Sequence, residues 1–273
     1  MSRTTLDQPD PNHEESMNDQ VPEESGVRTN VIDDVLVVTL DRPAKRNALS
    51  WEVTAGLDAA MNRLEDDPAL RVGVLTGGTE VFSAGADLRA GVGYPTERGG
   101  LVGLIQRRRT KPLVAAVEGM ALGGGMELVL SCDLVTASST ATFGLPEVRL
   151  GLIPDFGGAF RAAKLLPPNV AREMLLTGKP IDAERAERLG FVNRMTDPGG
   201  ALDAALALAR DISGNAPLAI REGLGVVNSP LLYDDEADWL RSDAAHLRLI
   251  LSRDFQEGVC AFFDRRKPEW TGQ

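Results

Sequence analysis

The chain predicts an α/β fold with an all-helical C-terminal region, on three observations. Apolar, β-branched runs at 35–40, 71–76 and 113–117 alternate with helical periodicity, the pattern of parallel strand–helix–strand units. After Gly157 the pattern turns to helices almost without interruption. Between the two regimes, the three glycines of Leu122-Gly-Gly-Gly-Met-Glu127 run directly into an apolar helix, as in a strand–turn–helix crossover.

Taken in order, residues 1–26 hold seven acids against Arg3 alone, with prolines and no apolar face. That composition predicts a disordered acidic tail, and neither a secretory nor an Arg-rich transit signal. The folded part is expected to begin near Val27. Val35–Leu40 reads as a buried strand ended by Asp41-Arg-Pro43. Ser50 is placed to cap a helix from Trp51 to about Leu64, with Glu52 in its first turn. Arg71–Thr76 is a second strand, stopped by Gly77-Gly78, and residues 90–100 read as a mobile active-site loop. Leu113–Val117 is a third strand. The glycines then open a helix to about Cys132, and Leu134–Thr136 and Ala141–Phe143 are short strands. Helices are expected at 159–165, 170–176, 183–189, 202–212, 217–227, 235–252 and 255–265, with one short strand near 192–195. The predicted division is a core over 27–197 and a helical region over 198–273.

With 273 residues, 43% of them hydrophobic, the chain can bury one ample core. A net charge of −11 argues against nucleic-acid and anionic-membrane surfaces, which need clustered positive charge. Arg107-Arg-Arg-Thr-Lys111 is a local exception, read as a solvated helix end, with a phosphate contact as the alternative. No apolar run approaches the ~20 residues that span a bilayer. Cys132 and Cys260 are the only cysteines and have no ligand set around them, so no disulfide, zinc or other metal site is expected, and a reducing cytoplasm is the natural compartment. The two histidines, His13 in the tail and His246 in a polar-faced helix, give a Ser-His-Asp mechanism little support.

The chemistry concentrates around the glycines. The first N–H groups of a helix lack partners within it, and glycine lets a ligand approach the backbone, so this turn can hold a developing oxyanion. Phe82-Ser-Ala-Gly-Ala-Asp-Leu88, after the second strand, is a tight turn that can supply a second backbone donor. A dinucleotide loop is excluded because Leu128 stands where the third glycine of G-x-G-x-x-G belongs. A plain structural turn stays open. Glu127, in the helix's first turn, and Glu147, in Phe143-Gly-Leu-Pro-Glu147, both sit in apolar surroundings, where a carboxylate is either paired or working. Arg149 or Arg161 is the candidate structural partner. If instead the acids share a cavity, one can stay protonated while the other ionises, which supplies an acid and a base at neutral pH.

Taken together, these segments resemble the crotonase superfamily, the enoyl-CoA hydratase/isomerase family. The resemblance covers residues 30–270. It rests on Arg42-Pro-Ala-Lys-Arg-Asn-Ala-Leu49, Phe82-Ser-Ala-Gly-Ala-Asp87, Val114 through Leu128, Cys132-Asp133, Phe143-Gly-Leu-Pro-Glu147, Gly151-Leu-Ile-Pro154, Leu176-Thr-Gly178 and Glu257 through Lys267. It implies a ββα-spiral core with a helical C-terminal region, assembled as a homotrimer or a dimer of trimers. It further implies an acyl-CoA thioester substrate, with coenzyme A entering as part of that substrate and no separate cofactor. By the family pattern, Ala86 and Gly124 donate the N–H groups that hold the thioester oxygen. Lys45, Ala84, Asp87 and Leu88 line the CoA groove, and Lys267 lies near the CoA phosphates. Glu80 departs from the pattern, since hydratases often place a lysine there. Glu127 and Glu147 look like the hydratase acid pair, which adds water across the 2,3 double bond of a 2-enoyl-CoA, the type of step used in fatty-acid β-oxidation.

Asp155 is a second departure. Hydratases usually carry glycine there and isomerase branches an acid, so a double-bond isomerase is the alternative. A cap on the helix near Gly158 is the structural reading of the same residue. A non-catalytic CoA-binding or scaffold protein is the reading from a different class.

Overall fold

In the computed structural model, residues 21–22, 24–233 and 235–273 are described. Most of the predicted acidic tail lies outside the described residues. Of its last residues, Ser25 is buried.

Six strands form the main sheet: β1 (Val27–Ile32), β2 (Val35–Leu40), β3 (Val72–Thr76), β4 (Leu113–Val117), β6 (Leu134–Ser138) and β9 (Arg194–Thr196), in that spatial order. β1 pairs with β2 in an antiparallel hairpin, and every other pairing in this sheet is parallel. A smaller sheet holds β5 (Met120–Leu122), β7 (Thr142–Gly144) and β8 (Ile181–Asp182). Single rungs extend that second layer at Ser83–Ala121 and Leu49–Ala86. The chain therefore winds repeatedly through one long strand, one short rung and then a turn or helix. α1 (Trp51–Asp66) follows the Leu49 rung, and α2 (Gly124–Leu130) follows β5. The remaining helices are α3 (Gly158–Leu165), α4 (Pro168–Thr177), α5 (Ala183–Arg188), α6 (Ala201–Ser213), α7 (Pro217–Asn228), α8 (Glu236–Ile250) and α9 (Arg253–Asp264).

Alternation of side chains explains why the long strands are apolar throughout. Leu36, Val38, Leu75 and Ala115 point into the core shared with α1 and α2. Val35, Val37, Val72, Val74 and Val114 point the other way, against Ala201, Ala205, Leu206 and Ala209 of α6. Buried Glu118 fixes the start of α6 by accepting a 3.1 Å hydrogen bond from Ala201 N–H.

Four local readings need correction or extension. β1 carried no strand signal because it is an edge strand whose Arg28, Thr29 and Asn30 are largely solvent-facing. β7 overlaps the strand expected at Ala141–Phe143, whereas β5 and the single rungs are too short to show a period, and only their cross-chain pairing defines them. The Arg107–Lys111 run is not a solvated helix end. Arg107 and Arg109 are buried and ion-paired at 2.5 Å with Asp58 and 2.6 Å with Asp133, partners supplied by other elements. At the start of α1, Ser50 holds the extended cap position, but its hydroxyl donates to Glu52 at 2.5 Å instead of accepting a backbone N–H.

Candidate active site

The spiral brings two turns from successive windings into contact. The Ser83–Ala121 rung aligns residues 83–86 with β5 and with the glycine turn that follows it. Gly85 has φ +97°, and a Cβ there would lie 2.8 Å from Leu122 O and 3.3 Å from Gly124 N, so only glycine allows the approach. Gly123 has φ +55°, and its Cβ position lies 3.0 Å from Glu147 Oε1. Ala86 is held by reciprocal bonds around it, with Leu49 N–H donating to Gly85 O at 2.8 Å and Asp87 N–H to Leu49 O at 2.8 Å. Among the described residues, neither Ala86 N–H nor Gly124 N–H has a protein acceptor. Two backbone N–H groups without a protein acceptor thus lie on these adjacent turns, that of Gly124 at the N-terminus of α2.

Glu127 is 2% exposed and stands in the first turn of α2. Its Oε1 accepts a 2.8 Å hydrogen bond from Gly158 N–H at the start of α3. Glu147 opens the single 3-10 turn Glu147–Leu150, and its Oε2 is buried without a hydrogen-bond partner. Among the described residues, neither glutamate forms an ion pair, so the salt-bridge reading of both fails. Burial is the main reason the Glu127 carboxyl is held well above its usual range. The charges of Glu147 and Asp155 push it further, against hydrogen bonds from Gly158 and Phe156 N–H. Burial also pushes Glu147 up to about 7, opposed by its own backbone N–H and reinforced by Asp155. The two glutamates and Asp155 therefore titrate as a group rather than singly.

Asp155 does not cap α3. The cap position belongs to Gly157, with no side-chain hydrogen bond, and the orphan N–H of Gly158 is taken by Glu127. Asp155 Oδ2 instead lies 3.1 Å from Nδ1 of His246 on α8. Burial raises its carboxyl, with His246 opposing and Asp243 adding to the rise. Composition gave His246 little claim to a site, because the contact joins helix α8 to a loop far away in sequence.

The predicted groove residues are dispersed around the paired turns. Ala84 N–H donates to Arg46 O at 3.0 Å, and Leu88 is 40% exposed. Asp87 sits 3.4 Å from Arg42 and accepts backbone N–H groups of Arg89 and Ala90 at 3.2 Å. Burial pushes its carboxyl up, but those bonds and the Arg42 charge outweigh it and leave the carboxyl below its ordinary value. Lys45 is exposed on the Pro43–Lys45 turn, and Lys267 is exposed beyond α9. Cys132 is a core thiol, pushed up to about 12 chiefly by burial. Among the described residues, no group of three metal-ligating side chains occurs and no helix is long and apolar enough to cross a membrane.

A parallel ββα spiral whose adjacent turns carry acceptor-free N–H groups close to Glu127 and Glu147 is the architecture that known proteins share with this chain. The family model for enoyl-CoA hydratase/isomerase matches residues 31–273. A carnitinyl-CoA dehydratase from Citrobacter koseri is 40% identical over 250 residues, covering 88% of this chain and 95% of that protein. Among solved structures, carnitinyl-CoA hydratase from Mycobacterium avium superposes with TM-score 0.87 at 37% identity, covering 92% of this chain and all of that one. Enoyl-CoA hydratase from Mycobacterium tuberculosis H37Rv gives 0.73 at 41% identity, again over 92% of this chain and all of that one. The chain belongs to the enoyl-CoA hydratase/isomerase family and has the crotonase fold.

Proposed function

We propose that the protein is a hydro-lyase that interconverts a 2-enoyl-CoA plus water with the 3-hydroxyacyl-CoA. The observation that carries this reading is a pair of glutamates without an ion-pair partner among the described residues, Glu127 buried and Glu147 half-buried with its Oε2 enclosed, beside two unpartnered N–H donors. In the hydration direction, the thioester oxygen sits between Ala86 and Gly124 N–H. Water held by Glu127 and Glu147 adds its oxygen to C3 and gives up a proton to the pair, while C2 receives one. The pair thus returns to its starting protonation state. Negative charge collects on the thioester oxygen in between, where the donors are already oriented. One such donor is generally worth about 3 kcal/mol of transition-state stabilisation. The relatives named as hydratases and dehydratases support the hydro-lyase class.

The CoA moiety is assigned to the groove of Lys45, Ala84, Asp87 and Leu88, with Lys267 toward its phosphates. Exposed apolar side chains on α7–α9, among them Val226, Leu240 and Leu251, support assembly as a trimer or a dimer of trimers. The reducing cytoplasm remains the assigned compartment.

A second reading, double-bond isomerisation, is favoured by Asp155, whose charge reaches both glutamates. Crotonyl-CoA separates the two: a hydratase removes the conjugated-thioester absorbance, whereas an isomerase leaves it and creates it from a 3-enoyl-CoA. Glu127→Gln and Glu147→Gln are each expected to lower kcat for hydration by about 10²–10⁴-fold with unchanged circular dichroism. Full activity in either variant would refute the assigned roles.

A further inference from the structure

Arg161 has the largest side chain among the fully buried ones of the described residues. Its place in the sequence made it a candidate partner for a glutamate, yet it pairs with Asp235, at 3.3 Å. Desolvating two charges offsets much of their attraction, so a buried ion pair is a poor source of stability. What the guanidinium supplies instead is a rigid fork of donors. Its Nη1 donates to Ile105 O at 2.6 Å and to Ser131 Oγ at 3.0 Å, while Nη2 reaches Asp235 Oδ2. The acceptors belong to three separate pieces of chain: the stretch leading into β4, the end of α2 and the cap of α8. Asp235 opens the polar inward face of α8, on which Ser242 is also buried and His246 meets Asp155.

These contacts converge on Glu127. Ser131, 4% exposed, donates its hydroxyl onward to Glu127 O at 2.9 Å, so the guanidinium reaches that residue's main chain through one oxygen. The side chain is held from the same helix. Gly158 N–H, at the start of α3, donates to Glu127 Oε1 at 2.8 Å, and Arg161 stands one turn further along α3. Gly157 lies against the stem of the arginine, since a Cβ there would sit 3.3 Å from Arg161 Cδ and 3.3 Å from the Trp239 ring. Helix α3 therefore grips Glu127 at both ends, by its first turn at the carboxyl and by Arg161 at the carbonyl. Because α2 has only seven residues, a shift at its end is felt in its first turn.

We propose that Arg161 is a positioning residue for Glu127, acting through Ser131 and through the seat of α3. The proposal rests on the hydro-lyase reading for the task that the placed carboxyl performs, and not for the placement itself.

Ser131→Ala makes the cleanest cut, because it removes the link to Glu127 and leaves the ion pair intact. It is expected to lower kcat for crotonyl-CoA hydration about tenfold with KM within about twofold of the unmodified protein. Arg161→Lys keeps the charge but not the fork and should lose at least as much; if it fails to fold, Ser131→Ala decides. An infrared titration of the full chain reads the placement without substrate. The carboxyl band that Glu127→Gln removes should titrate at higher pH in Ser131→Ala, because the hydrogen bond from Gly158, which favours the ionised form, is loosened. The charged neighbours, Glu147 and Asp155 with His246 and Asp243 beside the latter, are untouched by the substitution. A merely structural role would leave that titration where it is. An unmoved band in Ser131→Ala, or a kcat equal to that of the unmodified protein, would overturn the proposal. If the unmodified protein leaves crotonyl-CoA untouched, the hydro-lyase reading alone falls, and the infrared titration still decides the positioning.

Discussion

At the scale of single residues, Glu147 couples function to stability. Burial pushes its carboxyl up to about 7 in the folded protein, from an ordinary value of 4.5. Below pH 4.5 the group is protonated in both states and costs nothing. As pH rises toward 7 the unfolded chain releases the proton first, so the folded state loses relative stability, and the full penalty is present above 7. Glu147→Gln removes it, and thermal unfolding is expected to show a gain of about 1–3 kcal/mol at pH 8 with little change at pH 4.5. Activity should follow the same titration in the opposite sense. The state with Glu147 ionised and Glu127 protonated grows in as pH passes about 7, so kcat/KM for hydration should rise there and fall only when Glu127 loses its proton. A flat profile across pH 6–8 would contradict the shared-proton account. The apolar setting of both glutamates was legible in the sequence, because a carboxylate in an apolar helix or after Gly-Leu-Pro has few reasons to be there. His246 was not, since nothing along the chain links it to Asp155.

At the scale of elements, α9 braces the turn that carries Glu147. A Cβ on Gly258 would lie 2.5 Å from Leu150 O, and one on Gly151 2.8 Å from Asp254 O, so helix and turn meet backbone to backbone. Gly258→Val must separate them. It should cost about 1–3 kcal/mol in thermal unfolding and lower kcat by displacing Glu147, leaving binding of CoA itself nearly intact. A variant that is less stable yet fully active would show the brace to be structural only. The long elements were read correctly because buried parallel strands and amphipathic helices leave periods in sequence. β1, the short rungs and the Arg107–Lys111 segment leave none. Their character comes from partners such as Val37, Ala121, Asp58 and Asp133, which lie on other windings.

At the scale of the whole molecule, the helical region leaves Leu218, Val226, Leu240 and Leu251 each at least 65% exposed. A single copy with this surface is a poor end state in water. Light scattering is expected to report three or six copies, and Val226→Glu combined with Leu240→Glu should shift the protein toward monomer. An unmodified protein that runs as a monomer at micromolar concentration would refute the assembly. The family pattern made the trimer expectation possible, whereas the polar inward face of α8 became visible only with the helix in place. The spiral has one more outcome. The segment bearing Ala86 precedes residues 90–100, while Gly124 and all three acids follow it, so severing the backbone between those stretches would leave two fragments, each with only half of the anion cradle. Recovery of turnover on mixing them would report reassembly directly, which makes this enzyme a natural split reporter.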